Sequence, residues 1–195
     1  MRSLAQIYQT YMSRDPHGPG TGDKGTVHSY IELYEELFAP YRKTAKNFLE
    51  IGVLAGSSIR MWTEYFSITK VHGIDLDERP LNGMFDLRPM INEGFNLSFF
   101  DASIRDEVEK HFPGVMFDVI IDDASHLVGH QLDNYANFKS HLSKGGIYVV
   151  EDVADIDASR PLFENLDTTK HIQIYDRRKI KGRFDDVLVV LTDKP

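Results

Sequence analysis

Polar and apolar residues change their rhythm twice along this chain. From Leu4 to Met12 the apolar positions recur at helical spacing, which predicts a short amphipathic helix ending before Asp15-Pro16. The Gly/Pro-dense stretch DPHGPGTGDKGT follows, and after it HSYIELYEELFAPYR is again helix-periodic, with Tyr30, Ile31, Tyr34 and Leu37 on one face. Residues 1–45 therefore read as an N-terminal helical cap. Beyond it the runs NFLEIG, VHGID, NLSFF, FDVIID and GIYVVED are short, apolar and separated by helical segments, as parallel strands buried on both faces are. The last two runs, HIQIY and DVLVVLT, are joined by a charged, glycine-containing connection with no room for a helix, so they are expected to pair antiparallel. The pattern predicts an α/β fold. It is a Rossmann-like, doubly wound, mainly parallel seven-stranded sheet with an antiparallel C-terminal strand, in one domain over 1–195 whose core occupies 46–195.

Composition narrows the functional classes. With 195 residues, 42% hydrophobic and 27% charged, the chain has the make-up of an ordinary globular domain. Thirty acidic against 22 basic residues give a net charge of -8, which argues against a polyanion partner such as nucleic acid. Zero cysteines exclude thiolate zinc sites, iron–sulfur clusters and a cysteine nucleophile, so any metal must use oxygen or nitrogen ligands. The opening MRSLAQIYQTYMSRD lacks the apolar core of a signal peptide, and no apolar run approaches the ~18 residues of a membrane span. A cytoplasmic location without a membrane partner is the expectation.

Open α/β sheets bind ligands beyond the carboxyl ends of their strands. Here those ends carry Glu50 and Gly52, then Asp75 and Asp77, then Asp101, then Asp122 and Asp123 with His126, and finally Glu151 and Asp152. Any single aspartate can cap a helix or open a turn. Acids at all five ends are harder to assign to capping alone.

In LEIGVLAGSS, Gly52, Gly56 and Ser57 let backbone N–H groups and a helix N-terminus approach a ligand. The spacing is neither GxGxxG nor GxxxxGK[ST], which disfavours a dinucleotide dehydrogenase and a triphosphate cradle. Asp75 follows at roughly the twenty-residue distance from which a carboxylate reaches ribose hydroxyls, with Asp77 as the alternate. Two neighbouring strands ending in Asp122-Asp123 and Glu151-Asp152 can converge several carboxylates, an arrangement that a hard divalent cation neutralises. His126, three residues beyond Asp123, is the candidate base, because imidazole titrates in the range that proton abstraction requires. His130, expected on the same helix face, is read as a surface residue, since no Glu follows His126 as in HExxH. Lys24 and His28 belong to a basic loop that either closes as a lid over cofactor or substrate or is simply solvated. Tyr30, Tyr34, Trp62 and Tyr65 read as packing residues, and DRRKIKGR as a solvated hairpin connection.

Taken in order, E-x-G-x-x-x-G-x-S, GID, FFDAS, DD-x-S-H and GGIYVVED resemble the class I S-adenosylmethionine-dependent methyltransferases. GTGDKGTVHSY together with DDASH and GGIYVVED is more particular, and resembles the macrocin/mycinamicin/novobiocin sugar O-methyltransferases of antibiotic biosynthesis. The resemblance implies that Glu50, Gly52, Gly56 and Ser57 wrap the methionine part of S-adenosylmethionine. Asp75 would then hold the ribose, Asp101 with Ala102 would meet the adenine, and Asp122 would touch the cofactor amine or fix its loop. It assigns Mg2+ or another hard divalent cation to Asp123, Glu151 and Asp152, and proton abstraction to His126. The implied acceptor is a hydroxylated small molecule, most readily the sugar of a glycosylated natural product. The chain has little insertion with which to cover such an acceptor, so a homo-oligomer is a further expectation. Two rivals share the same acids: a metal-dependent hydrolase or oxygenase, and a non-catalytic cofactor-binding module.

Overall fold

The structure, a computed structural model, describes residues 1–12 and 22–195; part of the Gly/Pro-dense stretch lies outside them. The chain runs through α1 (Leu4–Met12), α2 (Ile31–Phe38), β1 (Asn47–Ile51), α3 (Ser57–Tyr65), β2 (Lys70–Asp75), α4 (Pro80–Gly83), α5 (Arg88–Asn92) and β3 (Asn96–Phe99). It continues through α6 (Arg105–His111), β4 (Phe117–Asp122), α7 (Val128–Phe138), β5 (Leu142–Val150), α8 (Ile156–Glu164), β6 (Lys170–Asp176), α9 (Arg178–Lys181) and β7 (Val187–Asp193). The seven strands form one sheet in the order β3-β2-β1-β4-β5-β7-β6. All pairings from β3 to β5 are parallel, and β7 runs antiparallel between β5 and β6. The direction of winding reverses between β1 and β4, which opens a crevice at their carboxyl ends.

Successive side chains of each strand feed opposite layers of core. Phe48, Val119, Ile121, Val149 and Val190 pack against α1, α2 and α3, whose Tyr34, Phe38 and Trp62 are buried there. Leu49, Ile120, Tyr148, Val150 and Val189 face the other layer, with Phe112, Tyr135, Phe138 and Phe163. Burial on both faces is why the central strands read as apolar runs without alternation. The cap foreseen at the N-terminus is therefore a core layer: α1 and α2 cover the sheet beside α3, and Arg42 lies 4.0 Å over the ring of Tyr65 to hold them there. The buried face of α2 is broader than its sequence suggested, since Leu33 and Phe38 join Ile31 and Tyr34 while Leu37 is only partly buried. The β6–β7 connection also departs from expectation. Four residues suffice for one helical turn, and α9 occupies it, closed by Gly182 in the left-handed conformation at φ 71°.

His72, on β2, is the one histidine set edge-on against two phenylalanines, Phe112 and Phe117, among the described residues. It is 9% exposed, its Nε2 has no hydrogen-bond partner, and burial aided by Lys70 lowers its pKa to about 4. Its proton affinity is thus lower folded than unfolded, so its penalty is absent above pH ~6.5 and grows as pH falls toward 4. A His72→Leu variant should lose less stability than the parent between pH 7.5 and pH 5, by about 1–2 kcal/mol. Denaturant midpoints at the two pH values measure this, and an equal loss in both proteins would refute it.

Candidate active site

Strand pleating decides which acids meet. Glu50 on β1 falls on the side of the sheet that faces α3 and the cap, and Asp123 and Glu151, just past the ends of β4 and β5, fall on the same side. Backbone hydrogen bonds from Asp123 to Ile51 and from Glu151 to Asp122 prolong the ladder far enough to fix this. Asp122 has the opposite parity. Its carboxylate is buried against α7, where Asn134 Nδ2 donates to both oxygens at 3.1 and 3.0 Å and the Tyr148 hydroxyl approaches at 3.5 Å. Burial, only partly offset by Asn134, raises its pKa to about 7.

On the cap side the acids are met by groups from residues 24–34. Lys24 Nζ donates to Asp123 Oδ2 at 2.6 Å and to Glu151 Oε1 at 2.7 Å, and lies 3.3 Å from Glu50 Oε1. The Tyr34 hydroxyl donates to Glu151 Oε1 at 2.6 Å and the Tyr30 hydroxyl to Asp152 Oδ1 at 2.7 Å. Ser58 and Trp62 of α3 donate to Glu50. Burial raises the carboxyl pKa values of Glu50 and Glu151. Burial and the neighbouring Asp123 charge raise that of Asp152 to about 7. Asp123 is held below its ordinary value in spite of burial, because Lys24 and His126 flank it.

His126 stands at the open side of this cluster. Its Nε2 is 3.1 Å from Asp123 Oδ1 and 3.6 Å from Asp152 Oδ2, and its hydrogen bond to Asp123 raises its pKa. His126 and Asp152 both have positive φ, 58° and 54°. Two non-glycine residues in that region within one cluster mark backbone strain held where the side chains must converge. The positive φ also separates His126 from α7, so it shares no helix face with His130. His130 lies at the pocket rim, where its Nδ1 is 2.9 Å from Ser125 Oγ.

Next to His126 a cavity of about 680 Å³ runs across the ends of β1 to β4, a size suited to a nucleoside-bearing ligand. Gly52, Ser57, Asp75, Asp101, Ala102, Asp123 and His126 from the expected site all line it, with Leu54, Leu76 and Phe100. Asp75 accepts hydrogen bonds from the amides of Val53, Leu54 and Leu76 and so fixes the glycine turn. Asp101 holds Ser103 through one oxygen. Gly52 has φ 94°, and a Cβ there would lie 2.0 Å from the Asp123 carbonyl, so only glycine lets the β1 turn pass the β4 end so closely. Gly56 and Glu50 are not at the pocket wall. Gly56 makes room for Met90, whose sulfur fills the space a Cβ would need, and Glu50 lies beneath α3.

Three groups of donors among the described residues are compact enough for a cation: Asp123, His126 and Asp152; Glu50, Asp123 and Glu151; and Asp23, His28 and Asp152. The expected metal set thus divides. Asp123 and Asp152 each belong to two groups and share the one with His126, while Glu151 belongs to one and turns to Lys24. Carboxylates crowded together, with Glu50, Glu151 and Asp152 raised in proton affinity beside the ionised Asp123, are the donor set a hard divalent ion relieves, so these residues fit one.

Of the two readings for Lys24 and His28, the solvated loop fails: both are buried, 2% and 1% exposed, and Lys24 borders the cavity. Their segment is clasped by the β6–β7 connection. Lys181 donates to the carbonyls of Gly25, Thr26 (3.0 Å) and His28 (2.6 Å), and Asp186 accepts from the Ser29 amide and hydroxyl at 3.0 and 2.7 Å. Arg177 donates to the same hydroxyl, and Arg178 makes paired contacts to Asp157 and Asp176. The DRRKIKGR run, expected to be a solvated connection, is therefore a clamp. Tyr30 and Tyr34, read as packing residues, also donate to the acids; their positions two and six residues after His28 were the available signal.

No protein-family model matches the chain. It is 33% identical over 138 residues, 67% of its length, to the 8-demethyl-8-alpha-L-rhamnosyl tetracenomycin-C 2'-O-methyltransferase of Streptomyces olivaceus. It is 29% identical over 136 residues to the mycinamicin VI 2''-O-methyltransferase of Micromonospora griseorubida. These matches cover 35% and 32% of those proteins, so the chain aligns with about a third of the curated relatives' length. The MycE methyltransferase of the mycinamycin pathway, solved with Mg, SAH and mycinamycin VI, superposes with a TM-score of 0.73 at 20% identity, over 98% of this chain and 53% of that one.

Two substitutions probe the frame of the site. Gly52→Ala should destabilise the protein by about 1–3 kcal/mol through overpacking and the positive φ, measured by chemical denaturation. Unchanged stability would show that the turn has room. Lys181→Met should speed amide exchange at residues 22–30 while leaving β1 and β4 protected; unaltered exchange there would remove the clamp.

Proposed function

The chain is a relative of the macrocin- and mycinamicin-type sugar O-methyltransferases on the class I S-adenosylmethionine-dependent methyltransferase fold, and from this premise we propose that it is an O-methyltransferase acting on a small-molecule hydroxyl. The observation that carries the reading is the continuity of one pocket. A nucleoside-sized wall at the ends of β1 to β3 leads directly to His126, set between Asp123 and Asp152 at the end of β4.

The residues divide the work by position. Leu54, Leu76, Phe100 and Ala102 supply the apolar surface for an adenine ring, and Asp101 stands at its edge. Asp75 keeps lone pairs for ribose hydroxyls after binding three amides. Gly52 and Ser57 carry the methionine end along the turn, while Glu50 and Gly56 shape that turn from behind. Asp122 acts through Asn134, which lines the pocket. Asp123, Glu151 and Asp152 are the residues to hold a divalent cation such as Mg2+, Asp123 sharing one compact group with each of the other two. When bound, the cation would ease ionisation of an acceptor hydroxyl and S-adenosylmethionine would supply the methyl group. His126 takes the hydroxyl proton on Nδ1, the ring nitrogen that Asp123 leaves free, while Asp123, engaged with Nε2, both orients the ring and steadies the imidazolium that results. Holding acceptor and donor in line is the chain's other contribution.

The acceptor class we propose is a sugar hydroxyl of a glycosylated metabolite. The relatives' names, which include a rhamnosyl tetracenomycin, support it. A second copy covering the acceptor belongs to the same proposal, and a solution mass of a single chain would remove that part. No helix among the described residues is long and apolar enough to cross a membrane.

Thermal unfolding with S-adenosylhomocysteine, with Mg2+ or chelator, and with NAD as control tests the reading. At about 100 times its dissociation constant a ligand adds ~2.7 kcal/mol, roughly 5–10 °C at this size, and the shift should occur with S-adenosylhomocysteine and not with NAD. A response to metal alone would favour a hydrolase or oxygenase. In a glycoside methylation assay, His126→Ala should lower turnover by ~10²-fold or more while keeping the S-adenosylhomocysteine shift. Turnover equal to the parent would displace His126 as the base, and cofactor binding without any turnover would leave a binding module.

A further inference from the structure

Lys24 occupies an unusual position for a lysine. Its ammonium lies within 3.3 Å of three carboxylates, Glu50, Asp123 and Glu151, whose oxygens are themselves grouped tightly enough for a metal ion. Lysine is suited to that position, being a compact point charge on a flexible four-carbon stem that can change rotamer without moving its backbone. Its backbone is fixed from both sides, because the Lys24 carbonyl accepts from the Tyr30 amide and Lys181 binds the carbonyls just beyond.

The surrounding charges do not balance. The buried Glu50, Glu151 and Asp152 and the partly exposed Asp123 form one cluster, and the cations that touch it are Lys24 and the partly exposed His126; His28, whose protonation is disfavoured by burial, lies 3.3 Å from Asp152. The nearby Arg183 is engaged with Asp185. The cluster can therefore accept more positive charge where Lys24 already stands, at the His126 side, or between Asp23, His28 and Asp152.

We infer that Lys24 is a built-in counter-cation that competes with a divalent ion for Asp123 and Glu151, setting how tightly the site takes metal. This rests on the proposed function in taking those carboxylates as ones a divalent ion uses. Lys24 is then a positioning residue: it holds the acids in place and must give up or share Asp123 when the ion enters. A purely structural lysine would have another signature, because its loss would weaken the fold and the metal site together.

The test compares the parent with Lys24→Met at pH 8, with Mg2+ as the probe, by thermal unfolding and titration calorimetry. The variant should be less stable than the parent in chelator, gain more stability than the parent from Mg2+, and bind Mg2+ about tenfold tighter, since a fixed positive charge beside the site is gone. A parent that binds Mg2+ and a variant that gains no more from it would overturn the inference and leave the metal reading standing. A parent that shows no Mg2+ binding by either method would overturn both. If Lys24→Met does not fold, the parent decides the matter through ¹⁵N-lysine NMR, with the Lys24 ammonium signal assigned by its loss in Lys24→Arg. Mg2+ should shift that signal; a signal unmoved while calorimetry records Mg2+ binding refutes competition.

Discussion

Carboxylates crowd the point where β1, β4 and β5 end, and a folded chain can keep them there only if positive charge and hydroxyl donors arrive from elsewhere. Burying one ionised acid without a partner costs several kcal/mol, and here Glu50, Asp123, Glu151 and Asp152 share one neighbourhood. The compensation comes from a short N-terminal segment that supplies Lys24, His28, Tyr30 and Tyr34. That segment is held in turn by the β6–β7 connection. The sheet, the cap and the hairpin are thus bound together by one electrostatic requirement, and the same requirement produces a place where a cation and a proton-accepting imidazole can sit side by side.

The winding of the sheet explains why the pocket lies next to this cluster and not elsewhere. The crevice between β1 and β4 is bridged by the turn at Gly52, which touches the Asp123 carbonyl. One wall of the pocket is therefore continuous with the acid cluster, so a methyl donor lying along the β1 turn would end beside His126. Asp75 contributes from β2 by tying down the amides of that turn. The pocket wall and the acid cluster share a backbone here, which is why small shifts at Gly52 would be felt at Asp123.

Much of this was legible in the sequence, and what was not has physical reasons. The strands themselves follow from the apolar runs and motifs, and the seven-stranded, mainly parallel sheet with its antiparallel β7 agrees with that reading. The acids at five strand ends are visible as residues. Their grouping is not, because one position along a strand moves a side chain to the opposite face: Asp122 and Asp123 are neighbours in sequence and lie on opposite sides of the sheet. Lys24 offered no local signal of burial, since its partners are 26 to 127 residues away. The DRRKIKGR run looks solvated in isolation, and only the fold shows Lys181 facing three carbonyls of the 25–28 backbone.

The clamp also orders events in time. Ser29 meets Asp186, 157 residues later, and β7 is inserted between β5 and β6 although it is made after both. A chain emerging from the ribosome can assemble β1 to β5 with their acids before the residues that fasten the N-terminal segment exist. Until Lys181 and Asp186 appear, the ammonium of Lys24 has no anchored backbone from which to reach the cluster. Completion of the site is then coupled to synthesis of the β6–β7 hairpin, so a product cut short before it would carry the sheet's ligand-binding edge with its counter-charge unanchored.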